Sequence, residues 1–301
     1  MQGIFPTNPQ EIKDALAVRH YIASDQIATV MYLAIKMKKP LLVEGPAGVG
    51  KTELAKCIAQ AMNLEFIRLQ CYEGLDESKA LYEWEYAKQL LYIQILKEKI
   101  SDTLAHTQTI NEAVKELSSQ EDAFFSEKFL LNRPLLKSLR SPQRCVLLID
   151  EVDKSDPEFE AFLLEFLSDF AVTIPELGTI QAIEAPVVLL TSNDQRDLSD
   201  ALKRRCLHLF IDYPTLEIEQ QIIAAKVPEA NPKLLSQTLE FVHKVRKLDL
   251  KKTPSISESI DWIQSLLLLQ LKEWNHADIR HTLSVLLKYQ SDVELVRKQL
   301  L

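Results

Sequence analysis

Gly45-Pro46-Ala47-Gly48-Val49-Gly50-Lys51-Thr52 is the stretch whose residue types and spacing carry the plainest chemistry. It fits G-x-x-x-x-G-K-[ST]: the glycines let backbone N–H groups wrap phosphate oxygens, the lysine reaches the β and γ phosphates, and the hydroxyl offers a ligand to Mg²⁺. A tight strand-to-helix turn is the plain structural alternative. The chain has only six glycines in 301 residues, where average usage gives about 21, and a chance match to the pattern is on the order of one in a thousand. Glu53, the next residue, is counted with the loop as nucleotide-binding.

Cys145-Val146-Leu147-Leu148-Ile149-Asp150-Glu151 is an apolar run ending in two acids. Alone, such a pair reads as well as a helix N-terminal cap. Beside a phosphate loop it reads as a metal carboxylate, Asp150, followed by an acid, Glu151, able to polarise a water in line with the γ phosphate. Pro186–Leu190 leads into Thr191-Ser192-Asn193, where Asn193 either positions that water or satisfies a local loop. Lys203-Arg204-Arg205 either caps a short helix or supplies an arginine finger to a neighbouring subunit, a device worth about 10³–10⁵ in rate.

The elements that must position these groups alternate. Helical patterns at 10–20 and 25–38 precede the strand Pro40–Glu44, the loop, a helix over 51–62 and the strand Glu65–Leu69. The segment 76–139 reads as an inserted helical stretch. The strand Cys145–Ile149, a helix over 157–170, a hairpin over 172–180, the strand Pro186–Leu190, a short helix at 198–204 and the strand Leu207–Ile211 follow. Beyond, only helices are read (216–227, 232–248, 257–273, 277–289, 291–300), which puts a domain change near 213: a nucleotide-binding α/β domain over 1–212 and an all-α domain over 213–301. Trp262, Leu266, Leu269 and Trp274 recur at helical spacing and read as core.

The totals narrow the function. Hydrophobic residues make up 47% and charged residues 26%, which is globular usage with room for a sizeable core. The net charge of −8 gives no general attraction to nucleic acid. Four scattered cysteines, no C-x-x-C pair and no long apolar stretch point to a cytoplasmic protein without membrane insertion. The histidines lack metal-ligand spacing.

In this order, the phosphate loop, Asp150-Glu151, Asn193 and the arginine pair, followed by helices, resemble the AAA+ ATPase module. Within it the chain resembles the MoxR group, and most the branch associated with carbon-monoxide-dehydrogenase maturation: Pro40–Glu44 and Ile149-Asp150-Glu151-Val152-Asp153-Lys154 carry the likeness to the superfamily, and Leu198–Cys206 and Pro254–Trp262 narrow it to the branch. The resemblance implies a five-stranded parallel sheet with an inserted helical segment and a β-hairpin, a helical lid, and a homo-hexameric ring with ATP and Mg²⁺ at subunit interfaces. It implies Arg205 as the finger with Arg204 in reserve. It also implies a von Willebrand factor A-domain partner and a protein client. Tyr21 and Ile22 either flank the adenine or serve the core. Many relatives carry a lid arginine where this chain has Ser257-Glu258-Ser259, which leaves Arg246, Lys251, Lys252 or Arg280 as substitutes. The competing readings are a nucleic-acid motor or loader and a nucleotide-gated binding module with little turnover.

Overall fold

The computed structural model describes residues 5–91, 129–175, 177–271 and 276–301. Five short strands form one parallel sheet: β1 (Leu41–Glu44), β2 (Phe66–Gln70), β5 (Val146–Asp150), β8 (Val187–Ser192) and β9 (Leu207–Phe210), in the order β2-β5-β8-β1-β9. Every residue of β5 and β8 is buried, while the edge strand β2 alternates. Continuous apolar runs suit strands covered on both faces, and that is how they are used.

Alternate residues of each strand divide between two cores. Leu41, Val43, Leu148 and Leu189 face α1 (Pro9–Ala17), α2 (Asp25–Met37) and α3 (Lys51–Met62). Leu42, Leu147, Ile149 and Leu190 face α5 (Pro134–Leu139), α6 (Pro157–Asp169) and α7 (Asp200–Arg205). The first two helices start on side-chain caps, Asn8 to the Glu11 N–H and Ser24 to the Ile27 N–H. By contrast α3 starts on Gly50 at φ 98° with no side-chain cap, so its first N–H groups are left to the preceding loop.

The hairpin read over 172–180 is present as β6 (Ala171–Ile174) and β7 (Gly178–Gln181), paired antiparallel. The inserted segment departs from the helical reading at both of its described ends. A one-turn helix, α4 (Glu77–Ala80), leads into β3 (Tyr82–Trp84), which pairs antiparallel with β4 (Leu130–Asn132) ahead of α5. Three-residue strands are too short to show a period, and their pairing joins residues far apart in sequence, so periodicity alone misses them. Residues 92–128 lie outside the described residues.

After β9 come α8 (Leu216–Lys226), α9 (Pro232–Val245), α10 (Ile256–Leu268), α11 (His276–Leu286) and α12 (Gln290–Leu300). The last four pack on each other around Val242, Trp262, Leu266 and Leu283, while Ile223 of α8 packs with Leu235, Leu239 and Ile263. The Trp262 ring is fully buried, lies 5.8 Å from that of Phe241, and donates its indole N–H to Thr282 Oγ1 at 2.9 Å. Leu269 corrects the core reading: it is 57% exposed, because α10 ends at Leu268 and the chain turns away before the next apolar position can face inward. Trp274 lies outside the described residues.

Trp262→Ala is expected to cost about 3–5 kcal/mol of stability, read from urea denaturation, with Trp262→Phe losing less. A loss below about 1 kcal/mol would show that this ring does not organise the helical core.

Candidate functional site

Parallel pairing brings the carboxyl ends of β1, β5 and β8 to one edge, where open α/β sheets bind ligands. Glu44 stands opposite Ser192, and Ile149 opposite Leu190, so the loop after β1, the acids ending β5 and Asn193 after β8 converge. They line a cleft of about 1140 Å³ whose far wall is helical, formed by residues such as Ile218, Ile256 and Ile260.

The loop depends on its glycines. Gly45, Gly48 and Gly50 have φ of 147°, 76° and 98°, backbone space that side chains rarely enter. A Cβ on Gly45 would lie 2.0 Å from the Ile211 carbonyl oxygen, and one on Gly48 would lie 2.2 Å from Ser255 Cβ. Ser255 is the N-cap of α10, so the loop is packed directly under the helical part.

Lys51 is 6% exposed, and its ammonium donates to the carbonyls of Gly45 and Pro46, each at 2.7 Å, and to Asn193 Oδ1 at 2.8 Å. Burial lowers its pKa to about 8 against the opposing pull of Asp153, Asp150 and Glu151. Thr52 Oγ1 lies 3.0 Å and 3.2 Å from the two carboxylate oxygens of Asp150. Hydroxyl and carboxylate oxygens brought together in this way are the donor set a hard divalent cation takes.

Asp150 is 2% exposed and well satisfied, accepting from Thr191 Oγ1 at 2.6 Å and from Arg68 Nε and Nη2 at 2.9 and 2.6 Å. Glu151 follows in the left-handed region, φ 57° and ψ 52°, a conformation of some cost for a residue with a side chain. Its N–H is held by Thr191 Oγ1 at 2.8 Å. Its carboxylate accepts from Asn193 Nδ2 at 3.0 Å, Gln70 Nε2 at 2.8 Å and Lys154 Nζ at 2.7 Å.

Of the residues singled out in the sequence, Lys51, Thr52, Asp150, Glu151 and Asn193 therefore form one bonded network, with Ala47, Val49 and the loop around it. Tyr21 and Ile22 also line the cleft, and Tyr21 Cε2 would lie 3.6 Å from a Cβ on Gly50. Tyr21 packs against the core as well, and burial pushes the pKa of its hydroxyl up. Glu53 lines the cleft and pairs with Lys226 at 3.6 Å. Arg204 and Arg205 are both exposed and do not line it. Arg205 instead donates to Ser168 Oγ at 2.8 Å and to the Ala201 carbonyl at 3.3 Å.

The four substitute lid cations are engaged elsewhere. Arg246 is buried in an ion pair with Glu219, Lys251 stands over the Tyr289 ring, Lys252 faces Glu258, and Arg280 bonds the Leu301 carbonyl. The lysine that the helical part brings to the cleft, among the described residues, is Lys226.

Residue-type reasoning passed over Arg68, Gln70 and Asp153. The Asp153 carboxylate is 4% exposed and accepts the N–H groups of Asn193 and Gln195, each at 3.1 Å, so it fixes the loop that carries Asn193. A basic residue inside the short apolar strand Phe66–Leu69, two residues before a glutamine on the same face, was the available signal for Arg68 and Gln70.

Loop, paired acids and strand-end asparagine on a parallel sheet of this order define a P-loop nucleotide-binding module. Residues 41–213 match the family model described as ATPase family associated with various cellular activities (AAA), and the chain belongs to that family. Two relatives extend the likeness beyond the matched region. An uncharacterized protein of Staphylococcus aureus (strain bovine RF122 / ET3-1) is 24% identical over 260 residues, covering 84% of this chain and 85% of its own. One of Staphylococcus haemolyticus (strain JCSC1435) is 25% identical over 255 residues, covering 82% and 83%.

Because Lys51 releases its proton near pH 8 in the free protein, nucleotide affinity is expected to fall as pH rises through 8, where the amine must be recharged to meet phosphate. Titration with a fluorescent ATP analogue from pH 7 to 9 checks this, and Lys51→Arg should flatten the fall. Asp153→Ala is expected to lower turnover by about tenfold or more, since it frees the Asn193 loop, and to weaken nucleotide affinity in the same titration, since Lys51 loses the carboxylate that most raises its pKa.

Proposed function

We propose that this chain hydrolyses ATP in the cleft with Mg²⁺ as cofactor, and works as a MoxR-type chaperone that remodels or activates a protein client. The observation that carries the hydrolytic reading is Glu151, a carboxylate beside Asp150 but turned off the strand by its left-handed backbone, with Asn193 on one oxygen.

In this reading the N–H groups at the start of α3 and the glycine loop bind phosphate oxygens, and Lys51 exchanges its carbonyl contacts for the β and γ phosphates. Thr52 and Asp150 would hold the metal. Bound Mg²⁺ supplies charge neutralisation at the phosphates. Glu151 accepts the proton of the attacking water, and Asn193, bonded to both Lys51 and Glu151, sets where that water stands. Tyr21 and Ile22 flank the base. The helical residues from 213 onward close over the nucleotide as a lid.

Arg204 and Arg205 are exposed and do not line the nucleotide cleft of their own subunit, which fits a homo-hexameric ring in which Arg205 completes the neighbour's site. A von Willebrand factor A-domain partner, a metalloenzyme client and a cytoplasmic setting complete the proposal by likeness to the MoxR group. Among the described residues no helix is long and apolar enough to cross a membrane.

Glu151→Gln is expected to bind ATP with near-normal affinity while losing about 10²–10⁴ in turnover, measured by phosphate release beside equilibrium binding. Retained turnover would remove Glu151 from the role of base. Arg205→Ala should likewise bind without turning over, and mixing it with Glu151→Gln should recover activity at shared interfaces. An assembled mixture with no recovery would count against action between subunits.

A further inference from the structure

Arg68 has no part in the hydrolytic scheme, yet it makes the closest cationic contact to the metal carboxylate. It projects from the edge strand β2, its side chain is 43% exposed, and it places both Nε and Nη2 on Asp150 Oδ2 while Nη2 also bonds Gln70 Oε1. Gln70 in turn donates to Glu151. The remaining oxygen of Asp150 is taken by Thr191 and Thr52. The carboxylate is thus neutralised and saturated by protein groups alone.

A buried carboxylate needs a counter-charge, and the edge strand supplies one that would oppose a second cation on the same oxygen. Free Mg²⁺ must compete with a guanidinium already held by two charge-assisted hydrogen bonds. A metal arriving as its ATP complex carries net negative charge, so the same arginine favours it.

Resting on the nucleotide and metal reading above, we propose that Arg68 is a positioning residue that makes the metal site selective for the metal–nucleotide complex over the free divalent cation. It holds Asp150 oriented and neutralised until the phosphates bring their own counter-ion. Through Gln70 it links the metal carboxylate to the carboxylate of Glu151. An arginine kept only for strand stability would have no effect on which form of the metal binds.

The test is Mn²⁺ binding followed by electron paramagnetic resonance on the full chain, with and without a non-hydrolysable ATP analogue, for the wild type, Arg68→Met and Arg68→Lys. Circular dichroism confirms that each variant is folded. The wild type should hold Mn²⁺ tightly only with the analogue. Arg68→Met should tighten nucleotide-free Mn²⁺ binding by at least about tenfold, and Arg68→Lys, which keeps the charge, should stay near the wild type. Nucleotide-dependent Mn²⁺ binding in the wild type with no tightening, or a weakening, in folded Arg68→Met would overturn the role of Arg68 alone. A wild type that takes up no Mn²⁺ even with the analogue would overturn the metal reading and this proposal with it.

Discussion

A buried carboxylate at the end of a central strand is the constraint around which this molecule is arranged. Asp150 is 2% exposed, and a charge so placed must be met from several directions at once or it destabilises the fold. Thr191 meets it from the next strand, Thr52 from the helix after the phosphate loop, and Arg68 from the edge strand. Those three residues come from β8, α3 and β2, so satisfying one side chain fixes the relative positions of most of the elements that carry chemistry. Strand order does the rest, since β5 lies between β2 and β8.

The same arrangement explains why Glu151 can differ from its neighbour. One residue on, the backbone leaves the strand through a left-handed conformation pinned by the Thr191 hydroxyl, which also bonds Asp150. A single hydroxyl thus orients both acids. The first stays in the sheet among Thr191, Thr52 and Arg68, while the second stands among Gln70, Asn193 and Lys154. Asn193 bridges Glu151 to Lys51, which joins the part that binds phosphate to the part that would activate water. Strain of this kind persists where the surroundings over-determine it, and it concentrates at functional positions.

The helical part is tied to the α/β part at the glycine loop itself. Gly48 has no room for a Cβ because Ser255 lies there, and Glu53 beside the loop faces Lys226 from α8. The helical part therefore meets the loop through packing and through an exposed ion pair of small intrinsic strength. Arg246, the most buried of the lid cations read from the sequence, instead serves the interior, where Glu219 requires a partner for its own charge.

The phosphate loop, the paired acids, Asn193, the five parallel strands and the hairpin were legible in the amino-acid sequence, because each is a local pattern: apolar runs of strand length, glycines where the backbone needs them, acids at a strand end. What touches those residues was not legible. Arg68 to Asp150, Asp153 to the Asn193 loop and the β3–β4 pair join positions far apart in the chain, and neither period nor motif spacing encodes them. Leu269 kept its helical spacing but lost its burial because the helix stopped one residue earlier. The sequence by itself determined the phosphate loop, the paired acids and Asn193, since residue type and local spacing specify chemistry. Only the tertiary structure decided which of them are bonded, buried or left facing solvent, because burial and pairing are properties of chain segments brought together by the sheet.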